Sequence, residues 1–361
     1  MVDVLSPLSA IRRQGQQALP FFVRLAFAAM ALAILLLSSG CSKPVHKLAG
    51  PTMGTTWQVQ VAGVPSGTSL EQLQADIEAL LDMVNRQMST YIDDSDLSRF
   101  NQAEAGTWQR IPPDFAKVLA SSLRLAEISD GAFDPTVGPL VNLWGFGPDG
   151  RRHRAPDADD VSDALARIGW QRLETRDNGR EVQQPGGLYL DLSAIAKGYA
   201  VDRLGEYLDA RGVDAWLVDI GGDMRARGIK PDGSPWRIAV ERPSSGARQI
   251  HSVVEPGDNA MATSGDYRNY FRDGARQFSH TIDPRTAEPV GHQLASVTVI
   301  HDNCMEADGY ATLLTVLGPE EGLAFATERD LAAFFITRVP GQDGEAFRED
   351  MTEAFRRYLA Q

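Results

Sequence analysis

The feature that most constrains the fold is an irregular alternation of strand-like and helical segments in the second half of the chain. Strand-like runs such as "AWLVDI", "AMATSG" and "ASVTVI" are separated in several places by turns alone. Consecutive strands without an intervening helix favour antiparallel pairing. The pattern therefore predicts an α+β (mixed α/β) fold, with an antiparallel-rich sheet flanked by helices, and argues against a doubly wound parallel sheet.

Hydrophobic periodicity predicts the individual elements. Ser69 resembles a helix N-cap, and apolar residues at helical spacing follow it to Met88. The stretch "YIDDSDLSRFN" and the basic stretch 145–160 are interpreted as loops. Further helices are predicted at 113–128, 195–211, 305–317 and 319–329. Strands are predicted at 56–61, 187–192, 215–220, 236–241, 251–255, 260–265, 278–283, 295–300 and 331–339.

The N-terminal segment is typical of a secretion signal. Arg12, Arg13 and Arg24 precede an apolar run at 25–37, which "SSGC" follows. The run is shorter than the about 20 residues that span a bilayer, so a transmembrane helix is the weaker interpretation. We predict a lipoprotein signal peptide at 1–40 and lipidation of Cys41. Plain cleavage is the alternative, because Ser38 stands where such signals usually have leucine.

The rest of the chain is predicted to form an anchor linker at 41–50 and one domain at 51–361. A lipidated Cys41 would place this domain on the periplasmic side of a bacterial inner membrane. Cys304 is then the only thiol left, so neither an internal disulfide nor a cysteine zinc site is expected. The net charge of −13 disfavours binding to nucleic acid, which requires a basic surface.

The stretch "MEADGYATLL" places Asp308 and Thr312 one turn apart on a predicted helix, so both side chains lie on one face. Carboxylate and hydroxyl oxygens are hard ligands that suit Mg²⁺ better than zinc or copper. Such a pair is more often ordinary surface. Here, however, apolar neighbours indicate a packed helix, in which an unpartnered carboxylate is costly.

Three further stretches carry candidate chemistry. In "DLSAIAKGYAVD" a predicted strand ends at Asp191 and a helix begins near Lys197, which is typical of a phosphate or nucleotide site. An ordinary strand–helix corner is the alternative. In "FSHTIDPRT" a predicted strand carries His280, a candidate base or a structural histidine. The stretch "SDGAFDPTVGPLVNLWGFGP" suits a loop that closes over a flat ring, or an ordinary packed loop.

Together these stretches resemble the ApbE family of FAD:protein FMN transferases. The blocks that carry the resemblance lie in family order from about residue 50 to the C-terminus. They are "MGTTW", "MSTYIDDSDLSRFN", "GAFDPTVGPLVNLWGFGP", "DLSAIAKGYAVD", "VDIGGD", "SHTIDPRT" and "ADGYAT".

The resemblance implies Mg²⁺-dependent transfer of the FMN half of FAD to a threonine (or serine) of a partner protein, with release of AMP. His280 matches the histidine proposed as the base. The metal ligands are matched by the Ala194 carbonyl and by Asp308 and Thr312. The FAD contacts are matched by Met53, Tyr91, Ala132, Phe133, Asp134, Asp191, Lys197 and Ile282.

The sequence departs from the family pattern at two positions. Lys197 stands where some members have Glu, so the resemblance assigns its location and not its role. Ala311 stands where some members have Asp, which removes one possible carboxylate ligand, so the resemblance does not set the number of metal ions. The alternatives to transfer are a Mg²⁺-dependent FAD pyrophosphatase and a periplasmic flavin-binding lipoprotein without turnover. The family suggests a subunit of a membrane redox complex as the acceptor.

Overall fold

The computed structural model describes residues 44–64, 67–152, 154–244, 249–266, 269–274, 276–339 and 346–360. The predicted signal peptide at 1–40 and Cys41 lie outside these ranges. Within them, no helix is both long enough and apolar enough to cross a membrane.

An antiparallel sheet of eight strands forms the centre of the fold. The strands of the described residues are β1 Val45–Thr52, β2 Thr55–Ala62, β3 Trp108–Arg110, β4 Glu174–Arg176, β5 Glu181–Gln183, β6 Trp216–Ile220, β7 Asp223–Arg227, β8 Ile238–Glu241, β9 Ile250–Val254, β10 Ala260–Gly265, β11 Tyr270–Asp273, β12 Arg276–Ser279, β13 Ile282–Asp283, β14 Glu288–Pro289, β15 Leu294–His301, β16 Ala332–Arg338 and β17 Phe347–Met351. The central sheet has the order β1-β2-β6-β7-β10-β15-β16-β17, and every neighbouring pair is antiparallel. The described residues also form four small sheets, β3-β5-β4, β8-β9, β11-β12 and β13-β14.

The helices pack mainly against one face of this sheet. They are α1 Leu70–Met88, α2 Asp96–Gln102, α3 Pro113–Ile128, α4 Gly138–Leu143, α5 Ala158–Leu165, α6 Ala196–Ala210, α7 Cys304–Glu328 and α8 Glu353–Arg356. Along each strand, every second side chain points toward these helices, as do Trp57, Val59 and Val61 of β2. They join α1, α6 and α7 in the largest apolar cluster. The predicted fold class is therefore confirmed.

The opposite face of the sheet has a smaller core. Phe334 and Ile336 of β16 point to this side and pack with Ile238 and Val240 of β8 and with Phe355 of α8. A third cluster lies under the β11-β12 and β13-β14 hairpins. It contains Leu140, Trp144, Ala164, Phe278, Ile282 and Ala287. Both faces of the central sheet are thus covered.

Two predictions, one of a loop and one of a strand, are wrong. The stretch "YIDDSDLSRFN" contains α2, which Ser95 begins by accepting the N–H of Ser98, and Leu97 and Phe100 are buried at helical spacing. The predicted strand 187–192 is irregular, because amide side chains rather than a neighbouring strand satisfy its backbone. Gln184 bonds the N–H and C=O of Leu188, and Asn101 does the same for Leu190.

Two other details differ from the prediction. Strand β1 begins at Val45, so most of the predicted linker 41–50 is paired with β2. His280 lies between β12 and β13 rather than on a strand. The two helices predicted at 305–317 and 319–329 are confirmed within a residue at each end: Gly318 (φ 81°) is non-helical and separates them before Pro319, and α7 denotes both together. The helices predicted at 70–88, 113–128 and 195–211 are confirmed within a residue at each end.

Candidate active site

The site is centred on the close packing of α6 and α7. Gly198, in the first turn of α6, donates its N–H to Oδ2 of Asp308 on α7 at 3.0 Å. A Cβ atom at position 198 would lie 2.2 Å from the carbonyl oxygen of Cys304 and 2.8 Å from Cβ of Asp308. Only glycine allows the two helices this approach. The segments that carry Ala194 and Asp308 are therefore adjacent.

A small charge cluster lies at this helix contact. The ammonium group of Lys197 pairs with Asp223, the first residue of β7, and its Nζ lies 3.7 Å from Oδ1 of Asp308. Both carboxyl side chains are buried, whereas the side chain of Lys197 is 32% exposed. Burial and the neighbouring Asp223 raise the pKa of Asp308 to about 7, against the opposing effect of Lys197. The ammonium group of Lys197 thus interacts with the carboxyl groups of both Asp223 and Asp308.

This donor set fits a hard cation. Two buried carboxylates and one ammonium leave a surplus of negative charge, which a bound cation would neutralise. Thr312, half-buried, lies one turn beyond Asp308 on α7, and Ala194, also half-buried, comes just before α6. Oxygen donors of this kind suit Mg²⁺. Among the described residues, no three His, Cys, Asp or Glu side chains cluster as a metal site, so hydroxyl and carbonyl oxygens would have to contribute.

His280 is held in a defined orientation, and it lies close enough to Lys197 for that charge to act on its ring. Its backbone N–H donates to the carbonyl of Asn269, and its Nδ1 lies 3.0 Å from the same oxygen. Because a carbonyl oxygen only accepts, Nδ1 carries the proton and Nε2 keeps its lone pair in the neutral ring. Burial lowers the pKa of His280, and the charge of Lys197 lowers it further, while Asn269 and Asp266 oppose them.

Aromatic residues line the approach to His280. The Phe146 ring meets the His280 ring edge-on, with 6.3 Å between centroids. Tyr91 donates its hydroxyl to the Phe146 carbonyl at 3.3 Å, and its side chain is 65% exposed. Although much of Tyr91 is exposed, partial burial raises its pKa, and so does the negative charge of Asp191. An exposed aromatic ring here offers a flat apolar surface to a ligand.

The block 132–134 is mostly built into the protein. Ala132 and Phe133 are buried, and their backbone N–H groups already donate to Ser129, that of Ala132 to the carbonyl and that of Phe133 to the hydroxyl. Asp134 accepts from the N–H and hydroxyl of Thr136 and from the N–H of Trp170. Burial raises the pKa of Asp134 despite these bonds. Its carboxylate holds the loop together.

The remaining predicted flavin residues lie in three different places. Asp191 donates its N–H to the Pro135 carbonyl, which joins it to the 132–134 block, and it accepts from the N–H and hydroxyl of Ser193. Met53 has φ 48° in the turn between β1 and β2. Ile282 is buried in the third apolar cluster. By comparison, Lys197 lies within 3.7 Å of Asp308.

Comparison with known proteins identifies the family of the chain. The model of the ApbE family matches residues 53–335. A curated protein of Vibrio cholerae, "FAD:protein FMN transferase", is 43% identical over 333 residues, which cover 92% of this chain and 98% of that protein. A protein of Haemophilus influenzae with the same name is 42% identical, covering 86% and 92%.

The chain belongs to the ApbE family. Solved structures agree with this assignment. The flavin transferase ApbE from Vibrio cholerae has a TM-score of 0.79 and 41% identity, over 88% of this chain and 100% of that one. The apo form of Pseudomonas stutzeri flavinyl transferase ApbE also has a TM-score of 0.79, with 44% identity over 88% and 97%. The predicted family and transferase activity are confirmed, while the individual site residues stay predictions.

Three residues at the ApbE-like site were missed by sequence reasoning. Asp223, the partner of Lys197, ends the block "VDIGGD", and Asp202 ends the block "DLSAIAKGYAVD". Each of these two blocks ends in an aspartate, and this shared feature could have identified both residues as candidates. The carbonyl of Asn269, which orients His280, carried no signal because any residue could supply it.

Proposed function

We propose that the protein transfers the FMN half of FAD to a threonine or serine hydroxyl of an acceptor protein and releases AMP. Its curated relatives are FAD:protein FMN transferases. The observation that supports the proposal most directly is the orientation of His280: the Asn269 carbonyl holds Nδ1, Nε2 is left as a proton acceptor, and the charge of Lys197 acts on the ring.

The reaction is a displacement at phosphorus. The acceptor oxygen forms a new P–O bond to the FMN-side phosphorus, and the bond to the bridging oxygen breaks, so that AMP leaves with the electron pair. Nε2 of His280 takes the hydroxyl proton during the attack. Positioning of the reactants by the protein supplies much of the remaining acceleration.

Asp308, Thr312 and the Ala194 carbonyl are the residues that would hold Mg²⁺. When bound, Mg²⁺ offsets the negative charge that develops on the diphosphate oxygens. Asp223 keeps the ammonium of Lys197 beside Asp308. On the flavin side, the exposed ring of Tyr91 gives the isoalloxazine a surface to lie against.

We also propose that Cys41 is lipidated and that the domain works on the periplasmic side of the inner membrane. The apolar run at 25–37 and the cysteine that follows it support this localisation. An acceptor in a membrane redox complex would share the same surface.

Incubation of the purified full-length protein with FAD, Mg²⁺ and a candidate acceptor tests the activity. Flavin fluorescence on the acceptor band of a denaturing gel, with AMP released in equal amount, is the expected result. Free FMN and AMP without labelled protein would instead identify a pyrophosphatase. Neither product would leave a flavin-binding protein without turnover.

A further inference from the structure

Asp202 is a buried carboxylate that joins three parts of the site without lying among the predicted ligands. Its Oδ1 accepts the backbone N–H of Cys304 and its Oδ2 that of Met305, both at 2.9 Å. Arg225 of β7 donates to Oδ1 at 2.8 Å. The residue itself is 4% exposed. One side chain of α6 therefore binds the first turn of α7 and, through Arg225, the central sheet.

The first turn of α7 is fully satisfied by side chains. Asp202 takes the N–H groups of Cys304 and Met305, and the N-cap Asn303 takes that of Glu306 at 2.9 Å. Free N–H groups at a helix start usually bind water, a capping side chain or an anion. This end of α7 is thus closed to a phosphate, and its donors serve to fix the helix.

A second contact between the same helices lies one turn further along. Gly198 and Asp202 are one turn apart on α6, and Cys304 and Asp308 are one turn apart on α7. The N–H of Gly198 binds Asp308 while the carboxylate of Asp202 binds the N–H of Cys304. Two contacts at this spacing prevent α7 from sliding or rotating against α6.

We propose that Asp202 is a positioning residue, which sets the place of the Asp308 and Thr312 oxygens relative to the Ala194 carbonyl by holding the first turn of α7. The inference rests on the proposed function in that these three residues are taken as the Mg²⁺ ligands. Groups that orient metal ligands typically change metal affinity by about 10- to 100-fold when they are removed.

The substitution Asp202→Asn tests the proposal with little change in volume. An amide has one accepting oxygen, and its NH₂ group would face a backbone N–H or Arg225. In complexes with FAD and without acceptor, Mn²⁺ affinity measured by electron paramagnetic resonance should fall at least about tenfold. Amide hydrogen exchange at residues 304–306 should accelerate. The Mn²⁺ concentration for half-maximal transfer should rise in parallel.

Arg225→Gln is the matched control. It removes the ion pair with Asp202 but leaves both bonds to the start of α7, so it should lower the melting temperature and keep the wild-type Mn²⁺ affinity. Asp202→Glu retains two acceptors at a longer reach and should lie between wild type and Asp202→Asn; it replaces the Asn variant if that protein does not fold.

The outcomes separate the inference from the proposed function. Wild-type Mn²⁺ affinity in a folded Asp202 variant, or an equal loss in Arg225→Gln, would overturn the positioning role. An Asp308→Ala protein with undiminished Mn²⁺ binding would instead overturn the metal assignment on which the inference rests. Loss in Asp308→Ala and Asp202→Asn, with retention in Arg225→Gln, is the expected pattern.

Discussion

The carbonyl oxygen of Asn269 decides which nitrogen of His280 can take up a proton. It fixes the hydrogen on Nδ1 and leaves Nε2 for the substrate. A backbone oxygen does this without adding a charge that would raise the pKa strongly. The arrangement favours a neutral imidazole that is ready to act as a base.

His280→Ala should therefore slow transfer while FAD binding remains close to wild type. General base catalysis contributes about 10²- to 10⁴-fold, so the rate should fall within that range. Single-turnover labelling of the acceptor measures the rate, and flavin fluorescence titration measures binding. His46→Ala, on the edge strand β1, is the control and should behave as wild type. An unchanged rate in His280→Ala would remove the base assignment.

The pH dependence of transfer follows from the burial of His280. Its pKa is lowered, so the neutral base persists below pH 6.5. At saturating Mg²⁺, which would keep Asp308 ionised, the acid limb of kcat/KM should have its midpoint below that value. Lys197 and Asp266 are the charged groups that act on the ring, in opposite directions.

The stability of the folded protein should depend on pH in the same direction as the transfer rate. A depressed histidine pKa means that the folded state resists protonation, so the contribution is present above pH 6.5 and lost as pH falls. Initial rates across the acid range check the kinetic prediction. A midpoint above pH 6.5 in wild type, or an unchanged acid limb in His280→Ala, would contradict it.

At the scale of helices and strands, the close contact between α6 and α7 depends on Gly198, which has no side chain beyond a hydrogen atom. Gly198→Ala adds a methyl group where the Cys304 carbonyl and Asp308 already lie too close. Overpacking of this kind costs about 1–3 kcal/mol of unfolding free energy and would move Asp308 away from α6. Urea unfolding and the Mg²⁺ dependence of transfer should both change.

Gly291→Ala provides the control for Gly198→Ala. Nothing lies within 4 Å of a Cβ atom at position 291, and its φ is not in the left-handed region. Its stability and Mg²⁺ dependence should match those of wild type. If Gly198→Ala did the same, the two helices would tolerate a wider separation than their packing indicates.

The sequence predicted the long helices and the central strands because their apolar periodicity extends over many residues. It failed where single polar side chains replaced that signal. Residues 187–192 alternate like a strand, yet Gln184 and Asn101 supply the bonds that a neighbouring strand would have made. Such long-range pairings have no local pattern.

Some residues of the candidate site could be predicted from the sequence, but their contacts could not. Asp308 and Lys197 could be selected because they lie in recognisable blocks, and the structure brings them within 3.7 Å. The sharing of Lys197 with Asp223 depends on how β7 lies beside α6, which spacing along the chain does not encode. The orientation of His280 depends on a backbone atom and was equally out of reach.

At the scale of the whole molecule, the proposed lipid anchor determines whether the protein is found in the inner membrane or free in the periplasm. A Cys41→Ser variant cannot be acylated, so in cell fractionation it should leave the inner membrane and appear in the periplasm. Cys304→Ser, a change at a buried residue, should remain with the membrane. A Cys41→Ser protein that stays membrane-bound would indicate that the apolar run 25–37 is retained as an anchor.

Strand β1 begins at Val45, and this early start would limit how far an enzyme anchored through Cys41 can reach. The four peptide steps from 41 to 45 span at most about 14 Å when extended. An acylated Cys41 would therefore keep the β1 edge of the sheet near the lipid headgroups. Hydroxyl groups displayed far above the bilayer would be inaccessible, so acceptors would be selected by their height over the membrane as well as by their sequence.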